Sequence, residues 1–248
     1  MRMENSSTRW TMRSKRKISM AIVSVLLSAL LLISGVMIYR ELSSRQKEKE
    51  DFDALAELVE MPVTNPPITS EPPPAETAEL SETTEPEEPL RDLSPLFEQN
   101  SECIGWLCIP DTAVNYPVMH TPRNPQKYLR MNFYGEYSQS GVPFLDYRCS
   151  PDSGNLLIYG HNMKNGTMFG ELKSYTDPAF CADHPIIEFQ TADGLFRYTV
   201  SEVKITDTSD KWYEDIGGER YTGRQYLLLS TCYGRSTDGR LLIIAVSR

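Results

Sequence analysis

Four patterns of apolar and polar positions follow one another along the chain. From Ile18 to Tyr39 there is no charged residue, and Leu, Ile, Val, Ala and Ser dominate. At about 1.5 Å rise per residue this stretch reaches about 33 Å, enough to cross a hydrocarbon core of roughly 30 Å. Residues 40–60 are densely charged and read as a helix that extends a stalk. From Met61 to Pro95 the chain is rich in Pro, Glu and Thr, with Pro66-Pro67 and Pro72-Pro73-Pro74. Such a stretch cannot build a core and is expected to act as a semi-extended spacer.

Beyond the spacer, short apolar or alternating runs recur between turn signals. They predict strands at Ile104–Ile109, Ala113–Val118, Val142–Asp146, Asn155–Tyr159, Ile186–Thr191, Phe196–Ile205, Gln225–Thr231 and Arg240–Ser247. The breakers are Pro110-Asp111, Pro117, Ser153-Gly154, Ala192-Asp193-Gly194 and Thr237-Asp238-Gly239. Around eight short strands in about 140 residues predict a mainly β domain, either a barrel or a sandwich. Helices are minor. Leu93–Gln99 opens the domain, and Met168, Phe169, Leu172 and Tyr175 form a helical stripe best read as core packing. The expected organisation is a basic N-terminus (1–17), an apolar span (18–39), a stalk and linker (40–90) and a folded domain (91–248). A domain of roughly 160 residues buries about 70% of its unfolded surface, enough for one core.

Charge refines this picture. Net charge is −9, without the clustered basic face that phosphate binding needs, so no nucleic-acid partner is expected. Much of the acidity lies in the spacer, at Glu71, Glu76, Glu79, Glu82, Glu85, Glu87 and Glu88, as befits a solvated tether. A cleaved signal peptide would have an apolar core of about 7–15 residues and an A-x-A-like site. Here the core is longer and ends in Ser34-Gly35-Val36-Met37-Ile38-Tyr39-Arg40, so a retained single span is expected. Arg13, Lys15, Arg16 and Lys17 precede it, whereas the following side mixes both signs. The positive-inside rule therefore puts the N-terminus in the cytoplasm and the folded domain outside.

Candidate chemistry concentrates near the C-terminus. Two apolar runs flank the seven residues from Tyr233 to Gly239, and this predicts a hairpin in which Cys232 ends one strand and Arg240 begins the next. Antiparallel pairing would set the two about 5 Å apart. A guanidinium beside a thiol favours thiolate, which is only about 3% of a free thiol at pH 7. The run Asn155-Leu-Leu-Ile-Tyr-Gly-His161 predicts a buried strand that delivers His161 to a rim. His120 and His184 stand at a strand end and in a turn and read as packing or surface imidazoles. A cysteine nucleophile needs an imidazole to protonate a leaving amine, because an unprotonated amide nitrogen leaves poorly. The other cysteines, Cys103, Cys108, Cys149 and Cys181, read as small buried apolar residues. Cys103 and Cys108 have no matching second pair, so neither a metal nor any cofactor is expected.

Tyr159-Gly160-His161-Asn162-Met163 with Met168-Phe169, followed by Leu229-Ser230-Thr231-Cys232 and then Arg240, resembles the sortases, class B in particular. Ile104-Gly105-Trp106, Asn115-Tyr116-Pro117-Val118 and Phe144-Leu145-Asp146 match in style, so the resemblance covers roughly 100–248. It implies a closed β-barrel and a transpeptidase. Cys232 would attack the carbonyl after threonine in a C-terminal sorting signal and form a thioacyl enzyme. His161 would serve as general acid and base, and Arg240 would stabilise the oxyanion and hold substrate. The amine of a cell-wall precursor or a pilin lysine would accept the acyl group. Ser230, Thr231, Tyr159 and Tyr233 lie at the same strand ends and are candidate substrate contacts. One departure stands out. The family's long helical insertion before the cysteine strand is reduced here to about Thr206–Arg224, containing Lys211-Trp212-Tyr213-Glu214. The family's insertion shapes the substrate groove, so Trp212 and Tyr213 are either a replacement wall or, the favoured reading, loop anchors packed on the barrel, and recognition of an Asn-Pro-x-Thr type signal is put in question.

Two rival readings remain. L,D-transpeptidases share the His-then-Cys order, but their cysteine follows a glycine, whereas here Thr231 precedes Cys232. A papain-like enzyme would reverse the order. The second rival is a non-catalytic module carried on a stalk.

Overall fold

The computed structural model describes residues 6–59, 90–214, 216 and 224–247, so most of the Pro/Glu/Thr-rich stretch lies outside the described residues. The chain divides into two compact units, Met1–Glu50 and Asp51–Arg248.

The first unit is helical, part of α1 (Ser6–Val59). From Val23 to Leu42 its large apolar side chains are bare, with Leu31 and Leu32 both 71% exposed. Leaving such a surface in water is unfavourable, and lipid removes the penalty. Among the described residues this is the one helix long and apolar enough to cross a membrane.

The second unit is a closed eight-stranded barrel. Its strands are β1 (Cys103–Cys108), β2 (Asn115–Met119), β3 (Phe144–Leu145), β4 (Asn155–Tyr159), β5 (Ile186–Thr191), β6 (Gly194–Asp207), β7 (Tyr226–Cys232) and β8 (Gly239–Ser247). Around the barrel the order is β1-β2-β3-β4-β7-β8-β6-β5, closed by β5 against β1. Of the two folds left open by the strand pattern, the sheet adopts the barrel, as the resemblance implied. The β2–β3 and β4–β7 pairs are parallel and the rest antiparallel. Short helices α2 (Ser94–Gln99), α3 (Pro178–Asp183) and α4 (Lys211–Glu214) decorate it.

Why β4, β7 and β8 are continuous apolar runs rather than alternating ones is now clear. They are consecutive in the barrel wall, and Leu156–Ile158, Leu227–Leu229 and Leu241–Ala245 are buried on successive residues, inward and outward alike. Part of the cover is the 3-10 turn Glu171–Thr176, which runs against β8 with Leu172 and Tyr175 buried. The predicted stripe is therefore core: Met168 and Phe169 are buried as well. The long antiparallel ribbon of β6 and β8 takes up a register shift between Val200 and Glu202, where the Ser201 hydroxyl donates to the Ile244 carbonyl.

Two differences from the expected elements have simple causes. The third strand shrinks to Phe144–Leu145, since Pro143 has no N–H to offer a ladder and is present only through its carbonyl, which accepts from Met119. The end of α1 is also more than stalk. Phe52, Leu55 and Val59 are buried in the core of the second unit.

Candidate active site

Strand register builds the site. β4 and β7 run parallel with Tyr159 opposite Ser230. The alignment continues past the end of β4. The Gly160 N–H donates to the Ser230 carbonyl at 3.2 Å, and the Thr231 hydroxyl donates to the Gly160 carbonyl at 2.8 Å. One step further brings His161 level with Cys232. On the other side of β7, β8 is antiparallel and pairs Cys232 directly with Arg240. Three consecutive strands thus deliver an imidazole, a thiol and a guanidinium to one rim of the barrel.

Gly160 permits this exit. A Cβ there would lie 2.6 Å from the ring of Phe169, so only glycine lets that ring pack under the start of the His161 loop. The loop then folds back on itself: the His161 carbonyl accepts from the N–H groups of Met163 and Phe169, and Asn162 bridges to Met168.

The three side chains differ in freedom. Cys232 is the one exposed cysteine of five, all of which are free thiols. Cys103 and Cys149 are buried, and burial pushes each thiol up to about 11, so both are protonated and inert at neutral pH. His161 is half-buried, and its Nε2 lies 2.9 Å from the Leu129 carbonyl. A carbonyl only accepts, so Nε2 carries a proton, which leaves Nδ1 as the nitrogen able to exchange one. Arg240 is half-buried, and its Nη1 donates to the carbonyls of Thr237 and Gly239, both at 2.9 Å. Those bonds orient the guanidinium, and among the described residues no carboxylate pairs with it.

The other histidines behave as the sequence suggests. His184 stacks on Phe180 with ring centroids 4.1 Å apart, its Nδ1 3.0 Å from the Phe180 carbonyl. His120 is half-buried with Nε2 unpartnered, and burial lowers its pKa despite the charge of Asp146.

The four candidate substrate contacts fall into two groups. Ser230 and Thr231 are buried, and their hydroxyls are engaged within the protein: Ser230 with the Tyr213 hydroxyl at 2.7 Å, and Thr231 with Gly160. Tyr159 is half-buried and donates its hydroxyl to Asp146 at 2.8 Å; burial first, then that carboxylate, pushes its ionisation well up. Tyr233 is half-buried, and its backbone N–H donates to the Gly239 carbonyl at 2.9 Å.

Several neighbours of these residues were not singled out as candidates. Asn162 donates from Nδ2 to the Cys232 carbonyl at 2.8 Å, tying the His161 loop to the cysteine. Its only sequence signal is its place beside His161. Asp146 is nearly buried and takes a bidentate pair from Arg148, both bonds 2.9 Å, as well as the Tyr159 hydroxyl. Burial alone would raise its pKa, but the Arg148 bonds and charge outweigh burial and hold the carboxyl below its usual range. Arg148 also donates to the Tyr213 carbonyl at 2.8 Å. Tyr213 is thus pinned at both ends, and Trp212 packs on Tyr226 at 5.6 Å, so the pair anchors α4 on the barrel as expected. Burial raises the phenol pKa of Tyr213, an effect opposed by the Ser230 hydroxyl and by the charge of Arg240. Among the described residues no cluster of His, Cys, Asp or Glu could hold a metal ion.

Comparison with known proteins agrees with this fold. Residues 107–248 match the Sortase domain family. Sortase B of Listeria monocytogenes is 37% identical over 126 residues, 50% of this chain and 49% of that protein, so the match spans about half of that relative's length. Sortase B of Staphylococcus aureus is 27% identical over 203 residues, 81% of this chain and 74% of that one. Among solved structures, sortase B from B. anthracis in complex with AAEK1 superposes with a TM-score of 0.61 at 26% identity, covering 83% of this chain and 98% of that chain. The Staphylococcus aureus sortase B–substrate complex gives a TM-score of 0.54 at 26% identity, covering 62% and 83%. With a barrel of this order and a match over more than half of its length, the chain belongs to the sortase family, most similar to class B.

Proposed function

We propose that this chain is a membrane-anchored cysteine transpeptidase whose nucleophile is Cys232, whose general acid and base is His161, and whose oxyanion and substrate-positioning residue is Arg240. The observation that supports it most is the adjacency of β4, β7 and β8, with Cys232 paired to Arg240 and His161 one step beyond the Tyr159–Ser230 pair.

In this reading the Cys232 thiolate adds to the carbonyl after threonine in a sorting signal. The oxyanion develops beside Arg240, whose guanidinium is already oriented by Thr237 and Gly239. As the C–N bond breaks, the leaving nitrogen takes a proton from Nδ1 of the His161 imidazolium, while Nε2–H stays on the Leu129 carbonyl. The product is a thioester on Cys232 and a free amine. An incoming amine, from a cell-wall precursor or a pilin, then attacks the thioester. Neutral His161 removes its proton, the new amide forms, and Cys232 leaves as thiolate. Ser230, Thr231, Tyr159 and Tyr233 remain proposed substrate contacts, the first two through their backbone since their hydroxyls are engaged. The span at 18–39 would hold the barrel at the outer face of the cell membrane, with residues 1–17 in the cytoplasm.

Intact-mass analysis tests the reading. The purified chain is incubated with a library of Pro-x-Thr-x peptides, with and without added amines. Expected is an acyl adduct on Cys232 that ends in threonine and turns over faster when an amine is present. Acylation by a peptidoglycan stem peptide alone, and never by a threonine-containing signal, would overturn it.

A further inference from the structure

The last two turns of α1 belong to the catalytic unit. Phe52, Leu55 and Val59, spaced i, i+3 and i+7, are buried in its core, Leu55 and Val59 at 1% exposure. The Phe52 ring meets the Tyr116 ring of β2 in a T-shaped contact, with centroids 5.3 Å apart and planes at 82°. Tyr116 is 6% exposed, and its hydroxyl oxygen accepts from the Met168 N–H at 3.0 Å.

Met168 has a φ of 53°, a left-handed conformation that is costly for any residue with a Cβ. Such a residue persists only where its surroundings hold it. Met168 in turn bridges to Asn162, Asn162 donates to the Cys232 carbonyl, and the next N–H, that of Phe169, donates to the His161 carbonyl at 2.9 Å. A continuous set of contacts therefore leads from Phe52 through Tyr116 to the loop that carries His161.

We propose that Tyr116, backed by Phe52, is a positioning residue that holds the 161–170 loop in the conformation that sets His161 against Cys232. This rests on the roles proposed for those two residues. It makes residues 51–59 a working part of the enzyme, beyond their place at the end of the anchor helix.

The test uses the full chain in detergent micelles. Tyr116→Phe keeps the ring and removes only the hydroxyl, whereas Phe52→Ala removes the supporting ring. Neither readout needs turnover: amide exchange at Met168 and Phe169, and the pH profile of Cys232 alkylation by iodoacetamide, with the site located by peptide mapping. In Tyr116→Phe, exchange at both amides should quicken about tenfold while β7 and β8 amides stay as they were. The alkylation profile should lose the inflection that His161→Ala also removes. Phe52→Ala should act in the same direction, about threefold on exchange. Unchanged exchange, uniform loosening of the whole barrel, or faster exchange with an unaltered alkylation profile would each overturn the proposal. If the unsubstituted chain and His161→Ala share one profile, the transpeptidase reading is what fails, and the exchange data still judge the clamp.

Discussion

The rim built by β4, β7 and β8 and the connection between β6 and β7 border the same site, yet they are held in unlike ways. On the rim, Cys232 and Arg240 owe their places to the β7–β8 ladder, and His161 follows the end of the β4–β7 ladder through the backbone bond from Gly160 to Ser230. In the connection, α4 is held by side chains: Tyr213 to Ser230, Arg148 to the Tyr213 carbonyl, and Trp212 against Tyr226. Ladders tolerate changes of side chain, because the bonds are main-chain. Side-chain links do not. The contrast teaches that rim substitutions should remove chemistry and spare stability, while substitutions around α4 should cost stability first.

The strongest break is Cys232→Ala. The side chain is exposed and ends its strand, so unfolding should stay within about 0.5 kcal/mol of the parent. Peptide cleavage should fall to background, and His161→Ala should lose about 10²–10⁴-fold. Measuring both turnover and thermal unfolding separates the two effects. Next comes Arg240→Ala, expected to lower kcat about 10²–10³-fold. Arg240→Lys should not restore it, because a point charge lacks the fork that Thr237 and Gly239 orient.

Gly160→Ala joins the two regions. Its Cβ would sit 2.6 Å from Phe169, so denaturant unfolding should show a loss of about 1–3 kcal/mol, with activity falling as the His161 exit distorts. Asp146→Asn should cost about 2 kcal/mol through the Arg148 pair, and it carries a pH signature. The folded pKa of Asp146 is depressed. Its stabilisation is therefore complete above the unfolded value of about 4 and is lost as pH falls through the lower folded value. Unfolding curves at descending pH should lose stability on that acid limb in the parent and lose less in Asp146→Asn. The smallest effect is that of Tyr213→Phe, about 1 kcal/mol from the Ser230 bond. A large loss of kcat there with stability intact would blur the distinction between rim and connection.

The strands that form the rim were legible in the sequence, and for a physical reason. Leu156–Ile158, Leu227–Leu229 and Leu241–Ala245 are buried on both faces, so they appear as unbroken apolar runs, and the residues that end such runs are the rim. Closure into a barrel was less visible. Strand patterns state which residues are buried and leave open whether the opposing surface is another sheet or the same one. Asn162 and Arg148 were silent as neighbours of the rim because their partners lie far along the chain: Asn162 and Cys232 are 70 residues apart, Arg148 and Tyr213 65. The buried face of 51–59 left a trace in the spacing of Phe52, Leu55, Ala56 and Val59 that charged neighbours masked.

The central claim, one rim for three side chains, is tested most directly by crystallography of the protein alkylated at Cys232 with a Pro-x-Thr chloromethyl ketone. The adduct should lie within hydrogen-bond reach of both His161 Nδ1 and the Arg240 guanidinium. An adduct bound with either group turned to a different surface would contradict the account.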